Sequence, residues 1–331
     1  MTGKSRTLLA PLFGLAVLLC VLFATPQAYA VTIERVLSLG GIEAWLVRDH
    51  TNPIITMRFA FRGGAALDPE GREGLANMVS TLLDEGAGDL DSKIFQGRLE
   101  DLVITLRFDA GRDNFGGRLR TLVENKATAF ELLTLALPRP RFDAEPLERI
   151  RSQIFSSLRQ EAEDPNTIAG KTLFKTLFPA HPYGRPVDGT LESVAAITQT
   201  DLKGFVKRRL AKDNLAIGVV GDITAEALKT VLDKTFGGLP AKAWAWAIPE
   251  AVLKGQGRTV VVTKPAPQSA IVFADKGPKR QDPDFYAAYV MNHVLGGGGF
   301  TSRLYNTVRE KRGLAYSVYS ALPPLDRAGV I

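Results

Sequence analysis

Cysteine and histidine are scarce in this sequence. Its 331 residues include one cysteine, Cys20, and three histidines, His50, His181 and His293. A single cysteine cannot form an intramolecular disulfide, which excludes a small disulfide-stabilised scaffold. No two of the histidines lie within one helical turn, so the clustered spacing of an ordinary zinc site is absent. The chain by itself therefore lacks the residues expected of a zinc enzyme.

An excess of charge of one sign is also missing. The chain has 41 Lys and Arg residues against 35 Asp and Glu residues, a formal net charge of +6. This excess is small and scattered along the chain, so it does not indicate nucleic-acid binding. Hydrophobic residues make up 45% of the chain and charged residues 23%, as in ordinary globular proteins. Length and composition together predict two folded domains rather than a disordered or fibrous chain.

The first thirty residues differ from the rest. Lys4 and Arg6 precede an apolar stretch, 8–24, and Ala28-Tyr29-Ala30 follows it. A basic start, an apolar core and a small-x-small site are typical of a secretory signal peptide. We therefore expect export to the periplasm with cleavage after Ala30, which also removes Cys20 and leaves no thiol nucleophile. The alternative is that the apolar stretch is retained as a membrane anchor.

Strand-like and helix-like patterns alternate over residues 31–240. Runs of β-branched and aromatic residues predict strands, and apolar residues three and four apart predict helices. The pair Gly40-Gly41 predicts a turn between the first two strands, and Thr224 is placed to cap a helix. Two strands are predicted within 32–47, and one each over 54–61 and 214–221. One helix is predicted to begin at residue 71, and three further helices are predicted over 143–163, 200–210 and 225–236.

A linker and a shorter second copy follow this first domain. Residues 241–257 contain proline and lack a periodic pattern, which is typical of a linker. Strand-like stretches at 259–262 and 270–274 then lead into Asp282-Pro283, which matches Asp68-Pro69 about 214 residues earlier. We expect a duplicated α+β domain, each copy an antiparallel sheet with helices packed on one side. By this comparison the second copy, 258–331, is truncated.

Four stretches of the chain carry a resemblance to a known family. In their order and spacing they resemble the pitrilysin/insulinase family of zinc metallopeptidases, whose members build closed chambers from such domains. The stretches are Arg62-Gly63-Gly64 with Gly74-Leu75-Ala76; Glu163-Asp164-Pro165 with His181-Pro182-Tyr183-Gly184-Arg185-Pro186 and Gly189-Thr190; Val219-Val220-Gly221-Asp222 with Phe236-Gly237-Gly238-Leu239-Pro240; and Leu295-Gly296-Gly297 with Ser302-Arg303-Leu304, Arg309 and Gly313-Leu314-Ala315-Tyr316-Ser317.

The sequence departs from this family at the metal motif. The family has His-x-x-Glu-His on a helix, with both imidazoles on one zinc ion and the glutamate as general base. Asn77, Ser80 and Thr81 occupy the corresponding positions. Amide and hydroxyl oxygens are poor zinc ligands beside imidazole, and Ser80 cannot accept a proton near neutral pH. The resemblance places Glu148 near the register of the third ligand, but one carboxylate alone does not hold zinc.

The other half of the family's site is retained in this sequence. By resemblance, Arg309 and Tyr316 correspond to an arginine and a tyrosine, seven residues apart, that hold the substrate over the zinc. The alternative is that Arg309 pairs with a neighbouring acid and that Tyr316 only packs.

Local signals around this pair predict its secondary structure. Ser302 or Thr301 is suited to cap a helix that carries Arg309, and Gly313 is suited to end that helix in the left-handed conformation. Residues 314–318 are then predicted to form a strand.

The resemblance implies a non-catalytic partner subunit within a heterodimeric periplasmic metallopeptidase. This chain would contribute no catalytic residue and bind no zinc, which is expected in a homologous zinc-carrying subunit. Its part would be to hold an extended peptide substrate, and no nucleic-acid partner is expected. Two alternatives remain open: a scaffold or binding protein of the same fold without a peptidase role, or an active metalloendopeptidase with atypical metal ligands.

Overall fold

A six-stranded sheet is the central element of the structure, a computed structural model that describes residues 31–331. The predicted signal peptide, 1–30, lies outside the described residues. The spatial order of the strands is β1-β2-β6-β3-β5-β4, and all neighbours are antiparallel except β2 and β6, which are parallel. The strands are β1 (Glu34–Leu37), β2 (Glu43–Arg48), β3 (Ile54–Arg62), β4 (Thr105–Ala110), β5 (Asn114–Leu122) and β6 (Leu215–Gly221).

Strand β3 shows why one face of the sheet is buried and the other is open. Its alternate residues Ile55, Met57, Phe59 and Phe61 are at most 3% exposed, whereas Arg58 between them faces solvent. Successive strand residues point to opposite faces, so a single buried face follows from this alternation. The buried side packs against the helices, and the ring of Phe59 lies 5.8–6.1 Å from those of three other phenylalanines.

Helices cover the buried face of the sheet. The first of them packs against β4, and its apolar residues at helical spacing are fully buried, as the sequence predicts. No helix among residues 31–331 is both long enough and apolar enough to cross a membrane. The helices are α1 (Leu75–Leu82), α2 (Ser92–Asp101), α3 (Lys126–Ala136), α4 (Ala144–Glu161), α5 (Pro165–Leu177), α6 (Leu191–Ala196), α7 (Gln199–Arg209), α8 (Ala225–Phe236) and α9 (Phe285–Asn292).

The α+β fold class is confirmed, and so are several local signals. Gly41 has a φ of 78° in the turn between β1 and β2. Thr224 caps α8, since its hydroxyl accepts a hydrogen bond from the Ala227 N–H at 3.2 Å. Beyond these signals, His181 orders the loop after α5, because its Nδ1 accepts from the Tyr183 N–H at 3.1 Å.

The second copy differs from the prediction in its strands. Helix α9 follows Asp282-Pro283 as expected, but 259–262, 270–274 and 314–318 form no strands, so these three predictions are wrong. A strand needs a neighbour that accepts its backbone hydrogen bonds. Within the described residues, the extended pairing in this region joins Asp275 with Ile331 and Gly277 with Gly329.

A small apolar cluster holds the segment 325–330. Tyr183 is fully buried in this cluster with Phe178, Leu325 and Val330. The Tyr183 hydroxyl donates to Asp113 at 2.5 Å and accepts from the Arg327 N–H at 3.0 Å. Burial and the nearby Asp113 raise the pKa of Tyr183, so the hydroxyl keeps the proton that it donates.

Candidate functional site

Helix α1 brings the three altered motif positions onto one turn. The Ser80 hydroxyl donates to the Asn77 carbonyl at 2.7 Å, and the Thr81 hydroxyl lies 3.3 Å from the same carbonyl. Ser80 is buried, and Asn77 and Thr81 are half-buried. Both hydroxyl protons therefore serve the backbone of their own helix, as serine and threonine commonly do inside helices. The turn offers amide and hydroxyl oxygens where zinc prefers imidazole, so its residues do not fit a zinc ion.

Glu148 lies on the solvent side of α4. Its side chain is 66% exposed, and its carboxylate is 3.3 Å from Arg151 Nε. The buried face of α4 is formed by other residues, among them Leu147, Ile150 and Ile154. The carboxylate is thus turned away from the core side of the helix. Within residues 31–331, no group of three or more His, Cys, Asp or Glu side chains is placed to hold a metal ion.

The beginning of α1 is anchored by Asp68, a role that the sequence analysis missed. Its carboxylate accepts from the N–H groups of Gly74 at 3.1 Å and Ala76 at 3.2 Å. Asp68 is only 3% exposed. Burial raises the pKa of Asp68 to about 7, although the Ala76 N–H and the Arg209 guanidinium act in the opposite direction. An acid at a helix N-terminus satisfies amide donors that otherwise have no partner.

Two arginines hold the loop that carries Asp68. Arg185 donates to the carbonyls of Ala66 at 2.9 Å and Asp68 at 3.0 Å. Arg209, from α7, donates to the Leu67 carbonyl at 2.5 Å. Arg185 belongs to one of the stretches that carry the family resemblance, and this membership was the only sign in the sequence that Arg185 matters. Its role could not be assigned because it contacts a loop 117 residues earlier in the chain.

The end of α1 is held by two more buried acids. Asp84 lies 3.3 Å from Arg107, and Glu85 lies 2.6 Å from Arg149 of α4. The Ser92 hydroxyl also donates to Glu85. Burial raises the pKa of Asp84. Helix α1 is therefore held at both ends by protein groups.

The structure brings Arg309 and Tyr316 together. The guanidinium carbon of Arg309 lies 5.1 Å from the centre of the Tyr316 ring and 4.7 Å from that of Tyr305. The nearest carboxylate partner of Arg309 is Glu310, at 3.9 Å. Tyr316 is 83% exposed, so its hydroxyl is open to a ligand.

The predicted helix around Arg309 is present in an altered form. Ser302 accepts from the Tyr305 N–H at 3.3 Å, as expected of a cap. Residues Tyr305–Glu310 form a π-helical turn, and Gly313 has a φ of 59° just after it. Wider π-turns are often found at functional sites. Here the turn sets Arg309 over the two tyrosine rings.

Comparisons with known proteins agree with one another. Residues 196–330 match the family described as the peptidase M16 inactive domain. A Helicobacter pylori protein described as the non-peptidase homolog YmxG is 30% identical over 306 residues, which is 92% of this chain and 70% of that protein. An uncharacterized zinc protease of Mycobacterium leprae, ML0855, is 30% identical over 206 residues, 61% of this chain and 46% of its own length.

Solved structures show the same likeness. The crystal structure of a peptidase M16 inactive domain from Pseudomonas fluorescens has a TM-score of 0.78 and 28% identity, and the match covers 90% of this chain and 73% of that one. A protease from Helicobacter pylori also has a TM-score of 0.78, at 21% identity, with 91% and 74% covered. Because the identity to this protease is only 21%, the match supports the fold alone.

Proposed function

Since this chain belongs to the peptidase M16 family, that of pitrilysin and insulinase, as a non-catalytic member, we propose that it holds peptide substrate for a zinc-carrying M16 subunit in the periplasm. The observation that carries this proposal is the contact between Arg309 and Tyr316, which lie together although the zinc motif is lost. In the proposed heterodimer, zinc and the general base belong to the partner. Helix α1 keeps its place in the fold but has no group that could replace them.

The chemistry of the pair suits a peptide carbonyl. A guanidinium stacked over an aromatic ring keeps its N–H edges free to donate, and a phenol adds one further donor. The rings of Tyr305 and Tyr316 limit the positions of the Arg309 side chain, so less conformational freedom is lost when a substrate binds. Donors fixed in this way can orient an extended backbone without taking part in bond cleavage.

Substitution of the pair tests this role in the assembled complex. The chain is to be produced together with an M16 protein of the same organism that carries His-x-x-Glu-His, and peptide cleavage is measured. We expect Arg309→Ala to lower the cleavage rate about ten- to a hundredfold, as for loss of a charged hydrogen-bond donor, and Tyr316→Phe by a smaller factor. Assembly and thermal stability should stay unchanged, since Tyr316 is exposed and neither side chain belongs to a buried apolar cluster.

Two neighbours provide matched controls. Arg312→Ala removes an exposed cation two residues after the π-helical turn, and Tyr319→Phe removes an exposed hydroxyl from the following segment. Both control complexes should cleave at the parent rate. If Arg309→Ala and Tyr316→Phe also cleave at that rate, the pair is structural, and a scaffold role without substrate contact replaces the proposal.

A further inference from the structure

The solvent-facing side of the sheet carries four arginines on adjacent strands. Arg118 of β5 lies directly opposite Arg58 of β3 on one side and Arg107 of β4 on the other. Arg120 follows two residues along β5 and therefore points to the same side. All four side chains are exposed. We call Arg58, Arg107, Arg118 and Arg120 the arginine face.

Most of this charge has no counterion within the protein. Arg107 lies 3.3 Å from Asp84. In the part of the chain that the structure describes, Arg58, Arg118 and Arg120 form no salt bridge. Like charges directly opposite each other on neighbouring strands destabilise a sheet. Three unneutralised guanidinium groups at this spacing thus carry a cost for folding that a bound anion would offset.

The surface beside these arginines is open and concave. A depression of about 420 Å³ is lined by Arg58, Arg118 and Arg120, with Asn52 and Thr56 at its side. Arg107, Arg118 and Arg58 lie side by side across three strands, and Gly218 of β6 lies next to Arg58 in the same line. Gly218 has no side chain to project above the sheet. A polypeptide can therefore lie on this surface with its own side chains close to the guanidinium groups.

The geometry points to an acidic polypeptide segment in extended conformation as the ligand of the arginine face. Residues i and i+2 of an extended chain are about 6.6–6.8 Å apart, which equals the separation of Arg118 and Arg120 along β5. A guanidinium matches a carboxylate through two parallel hydrogen bonds, and arginine is favoured where such planar recognition is needed. Asp or Glu at alternate positions of the ligand would thus meet successive arginines.

A nucleic acid fits this face less well. Continuous phosphate backbones are bound by extended basic surfaces, and binding strength grows with the number of phosphates neutralised. Here three cations are available, and Asp49 lines the same depression. Asp109 also projects from β4 on this side, opposite Gly116. These carboxylates repel a polyanion but leave room for two or three separate carboxylates.

Binding of a labelled peptide to the purified chain tests the inference without any partner subunit. The probe is an extended peptide of alternating Glu and Thr, followed by fluorescence anisotropy, and the reference is the same peptide with Gln for Glu. We expect the Glu peptide to bind in a salt-sensitive manner and the Gln peptide to bind at least about tenfold more weakly. Because the isolated chain is used, this result is independent of the proposed role in cleavage.

A triple substitution locates the site. Arg58→Gln, Arg118→Gln and Arg120→Gln together should weaken binding of the Glu peptide about tenfold or more, with thermal stability unchanged or raised because repulsion is relieved. The control Lys207→Gln, Lys234→Gln and Lys242→Gln removes the same charge from exposed positions elsewhere. Equal weakening by both triples, or tighter arginine-dependent binding of single-stranded DNA or of phosphatidylglycerol vesicles, would overturn the inference.

Discussion

Asp68 shows how one buried carboxylate fixes the start of a helix that has lost its metal motif. The carboxylate accepts two amide donors from the first turn of α1. Its own loop is tied to Arg185 and Arg209. The altered residues Asn77, Ser80 and Thr81 thus lie on a well-supported turn, and they fit a zinc ion poorly because of their side-chain chemistry rather than because the helix is displaced.

The raised pKa of Asp68 predicts a pH dependence of stability. In the unfolded chain the carboxyl ionises near its ordinary pKa of 3.8, but in the folded protein it stays protonated up to about 7. Between these values the folded state binds more protons, so the free energy of unfolding falls as the pH rises, by at most about 1.4 kcal/mol per pH unit. Asp68→Asn keeps an acceptor oxygen and removes this titration.

Urea unfolding at pH 5 and pH 7 measures this effect. We expect the parent to lose more stability than Asp68→Asn over that interval, whereas Asp101→Asn, an exposed carboxyl at the end of α2, should follow the parent. Parallel curves for the parent and Asp68→Asn would show that Asp68 is ionised at both pH values.

At the scale of elements, the pattern of apolar residues predicted those strands and helices whose formation depends mainly on local sequence. Strands β1, β2, β3 and β6 and helices α1, α4, α7 and α8 agree with the prediction because each has a clear period. Strand β5 was not predicted, since Gly116 and Gly117 interrupt its pattern. The structure explains these glycines: a Cβ at Gly116 would lie 2.7 Å from the Phe59 carbonyl oxygen, and one at Gly117 would lie 2.6 Å from the Phe59 ring.

The predicted strands of the second copy failed for a different reason. A suitable sequence at 259–262 or 270–274 does not make a strand unless another strand lies beside it, and local sequence does not contain that information. The segment 325–330, in contrast, is held by Tyr183 and Asp113, which lie more than 140 residues earlier in the chain. Contacts of this range could not be derived from spacing.

Tyr183→Phe tests how the segment 325–330 is held. The change removes the hydroxyl that bridges Asp113 and the Arg327 N–H, and leaves both without that partner. We expect a loss of about 1–3 kcal/mol of stability, together with faster hydrogen exchange at the Arg327 amide. Tyr289→Phe removes an exposed hydroxyl and should leave both quantities unchanged. Unaltered exchange at Arg327 in Tyr183→Phe would show that apolar packing alone holds the segment.

At the scale of the whole molecule, this chain combines the fold of its family with an altered metal motif. The fold of an M16 peptidase and the helix that carries its metal motif are present, and the zinc ligands are not. The pair Arg309 and Tyr316 could be predicted from its spacing and family resemblance because both residues lie on one short segment. Asp68, Arg185 and Arg209 could not, because they meet only after the chain has folded.

The rate of peptide cleavage during titration of this chain into a zinc-carrying M16 partner tests the central claim most directly. We expect no cleavage by this chain alone. With the partner, the rate should rise until one chain is present per partner, and a zinc chelator should abolish it. The claim would be contradicted by chelator-sensitive cleavage from this chain alone, or by a partner whose rate is indifferent to its presence.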